Sequence, residues 1–225
     1  MPDNKQLISL IIPCYNEEDV IEKCHERVAA AIAGLPYEFE IIYIDDGSRD
    51  RTLSLLRKIK ESDKRVITLA LSRNFGKEAA MTAGLDRSKG EAIIILDADL
   101  QDPPELIPEL LDIWKREDAD VVYGQRLTRE GETWLKKKSA AWFYNFINFV
   151  SDVEIPKNAG DFRLMNRRAV KALATVREHH RFMKGLFAWV GFSTTQIYFD
   201  RTARASGAAK QSYRRLWQLA KDGIF

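Results

Sequence analysis

Apolar, β-branched runs recur along the first 125 residues, separated by stretches in which apolar positions return every three or four residues. Leu7–Pro13, Phe39–Ile44, Val66–Leu71, Ala92–Leu96 and Val121–Gly124 are too continuously hydrophobic for half-exposed strands and read as strands buried on both faces. Between the first two, Val20, Ile21, Cys24, Val28, Ala31 and Ile32 fall at helical spacing behind Asn16, a residue suited to an N-cap. Asp102-Pro103-Pro104 marks another helix start, because a first turn tolerates proline's missing N–H. Alternating strands and helices predict an α/β fold with a mainly parallel central sheet and helices on both faces. Ligands in such sheets bind beyond the carboxyl ends of the strands. Here those ends carry the polar loops Pro13–Glu18, Asp45–Ser48 and Asp97–Pro104.

The pattern changes in the second half. Ser139–Val150 gathers Trp142, Phe143, Tyr144, Phe146, Ile147 and Phe149 directly after Lys136-Lys137-Lys138. A buried core helix explains this about as well as a membrane-surface helix, and the basic prefix favours the surface. Near the end, Tyr213, Leu216, Trp217, Ala220 and Ile224 share one helical face, with Arg214, Arg215 and Lys221 elsewhere. The pattern stops without a cap. A catalytic domain over residues 1–205 is therefore expected, followed by a basic amphipathic segment over 206–225.

At 225 residues and 45% hydrophobic content, the chain suffices for one sizeable core. Its net charge of +2 hides an asymmetry: residues 1–125 carry 16 Lys/Arg against 25 Asp/Glu, and residues 126–225 carry 19 against 8. An acidic half suits a metal, and a basic half suits a polyanion such as nucleic acid, anionic lipid or phosphate. Cys14 and Cys24 have no second pair, so neither a disulfide framework nor a zinc site fits; they are expected as small apolar residues in a reducing compartment. The first residues lack a secretory signal pattern, and no run approaches the ~18 apolar residues of a membrane span.

The chemistry concentrates in Asp97-Ala98-Asp99-Leu100-Gln101. On an extended chain, carboxylates at i and i+2 point to one side, and the small Ala98 leaves the backbone approachable. With the Gln101 amide oxygen they form an all-oxygen half-shell for Mg²⁺ or Mn²⁺, completed by phosphate and water. Such an ion offsets the charge of a departing diphosphate. Ionised carboxylates at the end of an Ile-Ile-Ile-Leu strand are costly unless paired or metal-bound, which argues against mere turn capping. Asp102 alone reads better as a helix cap. In the earlier loops, Tyr15 can lie against a base, Asp45 or Asp46 can accept its ring N–H, and Gly47 permits a tight turn. Glu17 and Ser48 serve equally well as helix caps.

Pro13–Glu18, Asp45–Ser48, Asp97–Pro104 and Gly160–Leu164, in this order, closely resemble the inverting family 2 glycosyltransferases of GT-A fold. Within that family the chain looks most like the polyprenyl-phosphate branch: bactoprenol glucosyltransferases first, dolichol-phosphate mannosyltransferases more distantly. Ser72–Glu78, Gly131–Trp134 and Arg181–Gly191 support the first choice. The resemblance implies that Asp97, Asp99 and Gln101 organise the metal and diphosphate. It implies that Pro13, Tyr15, Asn16, Glu17, Asp45, Asp46, Lys77, Asp97 and Ala98 hold the nucleotide, and that Asp161 faces the sugar in a catalytic set with Asp99 and Arg163. A lipid phosphate is largely ionised near neutral pH, its second pKa being ~6, so it needs little help from a base. Asp161 then positions a sugar hydroxyl or steadies the developing cationic sugar.

Arg126, Arg129, Lys136, Arg163, Arg204 and Lys210 are candidates to receive the acceptor phosphate or the leaving diphosphate. The expected reaction is hexose transfer from a nucleotide-sugar donor, UDP-glucose by branch resemblance, to a polyprenyl phosphate such as undecaprenyl phosphate. The setting is the cytoplasmic face of a membrane, with Arg214, Arg215 and Lys221 meeting anionic headgroups at roughly 1 kcal/mol per cation. Homo-oligomers are expected, nucleic acid is not. One departure stands out: Gly207-Ala208-Ala209-Lys210-Gln211 lacks the hydroxyl and aromatic residues usual in the family's mobile loop. Relatives of this branch continue into membrane helices, so the chain reads as the catalytic part of an anchored protein. Alternatives are GDP-mannose or another donor, a polysaccharide acceptor, or a non-catalytic lipid- or nucleic-acid-binding module. The last conflicts with the retention of Asp45, Asp46, Asp97, Asp99 and Asp161.

Overall fold

The structure is a computed structural model describing residues 5–126, 159–176, 183, 186–187 and 191–199. Among these, the strands are β1 (Leu7–Cys14), β2 (Glu38–Asp45), β3 (Val66–Ala70), β4 (Ala92–Ile95), β5 (Val121–Arg126), β6 (Ala159–Asn166) and β7 (Thr194–Phe199). The helices are α1 (Ile21–Ile32), α2 (Thr52–Ser62), α3 (Lys77–Arg87), α4 (Ile107–Glu117) and α5 (Arg167–Thr175), with a 3₁₀ turn at Pro104–Leu106. All five expected strands form, with ends within two residues of those read from the apolar runs. The strands make one sheet in the order β3-β2-β1-β4-β6-β5-β7. β3, β2, β1 and β4 run parallel, whereas β6 is antiparallel to both β4 and β5.

Alternation along the strands sorts the core into two layers. Ile8, Leu10, Ile12, Ile41, Tyr43 and Ile94 pack with apolar residues of α1, α2 and α4 on one face. Ile11, Ile42, Ile44, Ile93 and Ile95 pack with α3 and α5 on the other. The helices thus cover both faces, as expected of strands without a polar side. Cys14 and Cys24 are buried free thiols that pack as small apolar residues. Burial pushes the Cys24 thiol up to about 12, so it stays protonated.

One expected cap does not form. The N-cap of α1 is Val20, without a side-chain hydrogen bond. Asn16 lies further upstream in a left-handed conformation (φ 51°), where its side chain serves another loop. Asp102, just ahead of the 3₁₀ turn that starts after Pro103, is fully buried. The Asp102-Pro103-Pro104 start itself is observed, with a proline at the first helical positions.

Where the chain leaves β1 for β2 on one side and later places β4 on the other, the order of strands reverses. Ligand crevices open at such a switch point. Helix α3 roofs the neighbouring strands so closely that a Cβ on Gly84 would lie 2.6 Å from Ile11 Cγ2 and 2.8 Å from Ile44 Cδ1. Gly84→Ala should therefore overpack this seam and cost about 1–3 kcal/mol in urea unfolding. A loss below ~0.5 kcal/mol, the range of ordinary surface substitutions, would show that the seam yields.

Candidate active site

The loops after β1 and β2 lock together through their own polar groups. The Asn16 N–H donates to Ser48 Oγ at 2.9 Å, and Asn16 Oδ1 accepts from the Arg49 N–H at 2.9 Å. The Glu17 N–H donates to Thr52 Oγ1 at 2.8 Å, and the Glu18 carboxylate pairs with the Arg51 guanidinium. Ser48 is thus a clasp between loops rather than a helix cap. Helix α2 starts after Arg51 without a side-chain cap. Pro13, Tyr15, Asn16 and Glu17 lie half-buried along this joined edge.

Adjacent carboxylates at the end of β2 have opposite duties. Both oxygens of Asp46 accept backbone N–H groups, from Phe75 at 2.7 Å and Gly76 at 2.9 Å, so this buried carboxylate pins the loop that leads into α3. Gly47 makes the fit possible. It has φ +66°, and a Cβ there would lie 2.4 Å from the Arg73 carbonyl carbon. Asp45 instead accepts the Ser48 N–H through Oδ2 at 3.3 Å, while its Oδ1 is buried without a hydrogen-bond partner. A buried oxygen of this kind calls for a donor. Of the two aspartates, Asp45 is therefore the one with an acceptor to spare.

The pinned loop delivers Lys77 to the centre of the site. Gly76 precedes α3 with φ 101°. Lys77 Nζ lies 2.5 Å from Asp97 Oδ1 and 2.5 Å from Asp161 Oδ2. Asp161 arrives there because β6 runs antiparallel to β4 with Arg163 opposite Ile95, which brings the start of β6 level with the residues after β4. Burial works against the Lys77 charge, but Asp161 and Asp97 outweigh it and hold the ammonium above its ordinary value.

Strand β4 ends at Ile95, so Asp97 to Asp99 lie in a turn and not on an extended chain. The i, i+2 geometry of a strand therefore does not apply. Asp99 is buried and its Oδ1 accepts the Gln101 N–H at 3.1 Å, across a left-handed Leu100 with φ 61°. A branched-chain residue held there marks strain next to the acidic pair. Ala98 is buried.

Arg163 is more enclosed than a phosphate receptor on an open surface. It is 5% exposed, donates to the Gly160 carbonyl at 2.7 Å and stacks on the Phe187 ring at 3.6 Å, while its Nε has no partner. Burial pulls the guanidinium down to about 10, against Asp161, Glu78 and Tyr123, so it remains charged near neutrality. Arg163 braces the backbone that presents Asp161.

Among the described residues, no three His, Cys, Asp or Glu side chains gather to hold a metal ion. The acidic turn fits a hard divalent cation that brings phosphate and water ligands of its own, because Asp97, Asp99 and Gln101 offer oxygen donors only. Arg126 ends β5, and its side chain lies outside the described residues, as do Arg129, Lys136, Arg204, Lys210, Ser139–Val150, Gly207–Gln211 and the tail. Sequence reasoning missed the Asp46 clamp and the Lys77–Asp161 contact, whose partners stand 30 and 84 residues apart.

Carboxylates around the switch point of a GT-A sheet define a class. The family model for glycosyl transferase family 2 matches residues 9–174, and the chain belongs to that family. More particularly, it is 43% identical over 217 residues to the bactoprenol glucosyl transferase of Shigella phage SfX, covering 96% of this chain and 71% of that protein. It is 49% identical over 218 residues to an uncharacterised glycosyltransferase of Synechocystis sp., covering 97% and 68%. The crystal structure of glucosyl-3-phosphoglycerate synthase from Mycobacterium tuberculosis, in complex with Mn²⁺, UDP-glucose and phosphoglyceric acid, matches with a TM-score of 0.61. That match covers 97% of this chain and 77% of the synthase at 17% identity, and it shows the fold.

The two aspartates at the end of β2 should separate on substitution. Asp46→Ala should cost about 1.5–3 kcal/mol in thermal or urea unfolding, because it orphans two backbone donors that held a charged partner. Asp45→Ala should leave stability nearer wild type but weaken UDP binding in calorimetry about tenfold or more, one lost charged hydrogen bond. Equal effects on both properties would overturn the division.

Proposed function

We propose that this chain transfers a hexose, glucose from UDP-glucose, with inversion onto a polyprenyl phosphate such as undecaprenyl phosphate at a membrane surface. The observation that carries the reading is the convergence of Asp161 and Asp97 on Lys77 at the switch point, together with the buried, unpaired Oδ1 of Asp45 after β2. The identity with the bactoprenol glucosyl transferase supports glucose as the transferred sugar and a polyprenyl acceptor.

Asp45 Oδ1 would accept the ring N–H of the base, within the interlocked Pro13–Glu17 and Asp45–Ser48 loops. Asp97 and Asp99, with Gln101, would hold Mg²⁺ or Mn²⁺, which supplies charge stabilisation to the departing diphosphate. A Mn²⁺ ion accompanies UDP-glucose in the synthase of like fold. The acceptor phosphate needs no base, since its second pKa is ~6. Its oxygen attacks the anomeric carbon from the face opposite the diphosphate, the bond to the diphosphate breaks, and the configuration inverts. Asp161, braced by Arg163, then orients the sugar and steadies positive charge on its ring. Arg126, Arg129, Lys136, Arg204 and Lys210 are assigned to the acceptor phosphate or leaving group, and the basic tail to anionic headgroups.

Transfer of radiolabelled glucose from UDP-glucose to undecaprenyl phosphate in detergent, with Mg²⁺ or Mn²⁺, tests this directly. Lipid-linked product is expected from the wild type, falling about a hundredfold or more in Asp99→Asn and Asp161→Asn. A folded protein that glucosylates a soluble saccharide but not the lipid would sink the acceptor assignment.

A further inference from the structure

Lys77 stands where a metal-dependent transferase has most need of an open carboxylate. Its ammonium lies 2.5 Å from Asp97, the residue assigned to the cation, and 2.5 Å from Asp161, assigned to the sugar. Three separate constraints fix the backbone beneath it. Asp46 holds the N–H groups of Phe75 and Gly76, Gly47 admits the loop at backbone contact, and α3 packs with Ala80, Met81 and Leu85 buried. The side chain itself is 37% exposed, more than either carboxylate at 21% and 15%. The lysine therefore has room to leave, while its anchor does not.

We propose that Lys77 is a built-in counter-cation: without donor it occupies Asp97 and Asp161, and a divalent ion must displace it from Asp97. This rests on the reading that Asp97 holds the metal. Without the lysine, the carboxylates of the turn after β4 and of β6 would lose the cation they share, and a metal could settle there before any donor arrived. With it, the ion gains Asp97 only when a diphosphate offers phosphate oxygens both to the metal and to the displaced ammonium. Metal loading is thereby coupled to donor arrival. Lys77 acts as a positioning residue with two stations, the carboxylate pair and the diphosphate.

Mn²⁺ binding, followed by the electron paramagnetic resonance of the free ion with and without UDP, tests the idea independently of turnover. Without UDP, Lys77→Met and Lys77→Gln should bind Mn²⁺ about tenfold or more tighter than wild type, the scale of one charge contact at this range. Lys77→Arg and Arg73→Met, the latter removing a cation from the same loop, should stay near wild type. With UDP the advantage of Lys77→Met should shrink or reverse, and adding Asp97→Asn should abolish it. Circular dichroism melting confirms that each variant is folded. If wild type binds Mn²⁺ through Asp97 with UDP but Lys77→Met and Lys77→Gln bind no tighter without it, the counter-cation role is wrong. A tightening matched by Arg73→Met would equally overturn it, as a general field effect. If neither wild type nor variants bind Mn²⁺ even with UDP, the assignment of Asp97 to the metal fails first, and the inference with it.

Discussion

Because β6 runs antiparallel to β4, with Arg163 opposite Ile95, the beginning of one strand and the end of the other meet on the same edge of the sheet. That pairing brings Asp161 to the acidic turn after β4, and the other features of the site answer to it. Two carboxylates brought together in a partly buried place repel unless a cation stands between them. Lys77 supplies it. A lysine can reach them only if its loop is held over the neighbouring strands, which is the duty of Asp46. Arg163 holds the other side, with a guanidinium packed on Phe187 and bonded to the carbonyl before Asp161. The centre is thus a chain of compensations that starts from one reversed strand.

The edge made by the loops after β1 and β2 is built on a different principle. Backbone N–H groups of the β1 loop are satisfied by side chains of the β2 loop, and the reverse. Each loop is a partner that the other requires, so the edge is formed before any ligand reaches it. Preorganisation of this kind lowers the ordering cost of binding. It also explains why a left-handed asparagine is kept at position 16: its turned backbone directs both its N–H and its side-chain oxygen across to the facing loop.

Much of this was legible in the sequence, for reasons that differ by element. β1, β2 and β4 are buried on both faces, and their unbroken isoleucine runs announce it. β6 gives no such signal, because Gly160, Asp161 and Arg163 interrupt its apolar residues for the sake of the site. β7 lies at a sheet edge and buries only Ile197 and Phe199 fully, leaving a short alternation that is hard to see. The motifs located the carboxylates. Their duties were hidden, since Asp45 and Asp46 are neighbours at a strand end and only the tertiary arrangement decides which gives both carboxylate oxygens to the Phe75–Gly76 loop and which keeps one unpaired. The misplaced cap at Asn16 has the same origin, for its side chain satisfies a long-range demand in preference to the adjacent helix.

Gly84 leaves no gap between α3 and the strands beneath it, so the helix lies against Ile11 and Ile44 at a distance that any side chain would forbid. A roof seated this closely resists sliding, and its first residue is held with it. Whatever travels at this centre must be a side chain turning about its own bonds. Rotamer changes at partly exposed residues take picoseconds to nanoseconds, whereas collective shifts of packed elements take microseconds to milliseconds. The close packing of one glycine thus assigns any opening of the acidic pair to side-chain rotation rather than to movement of the helix.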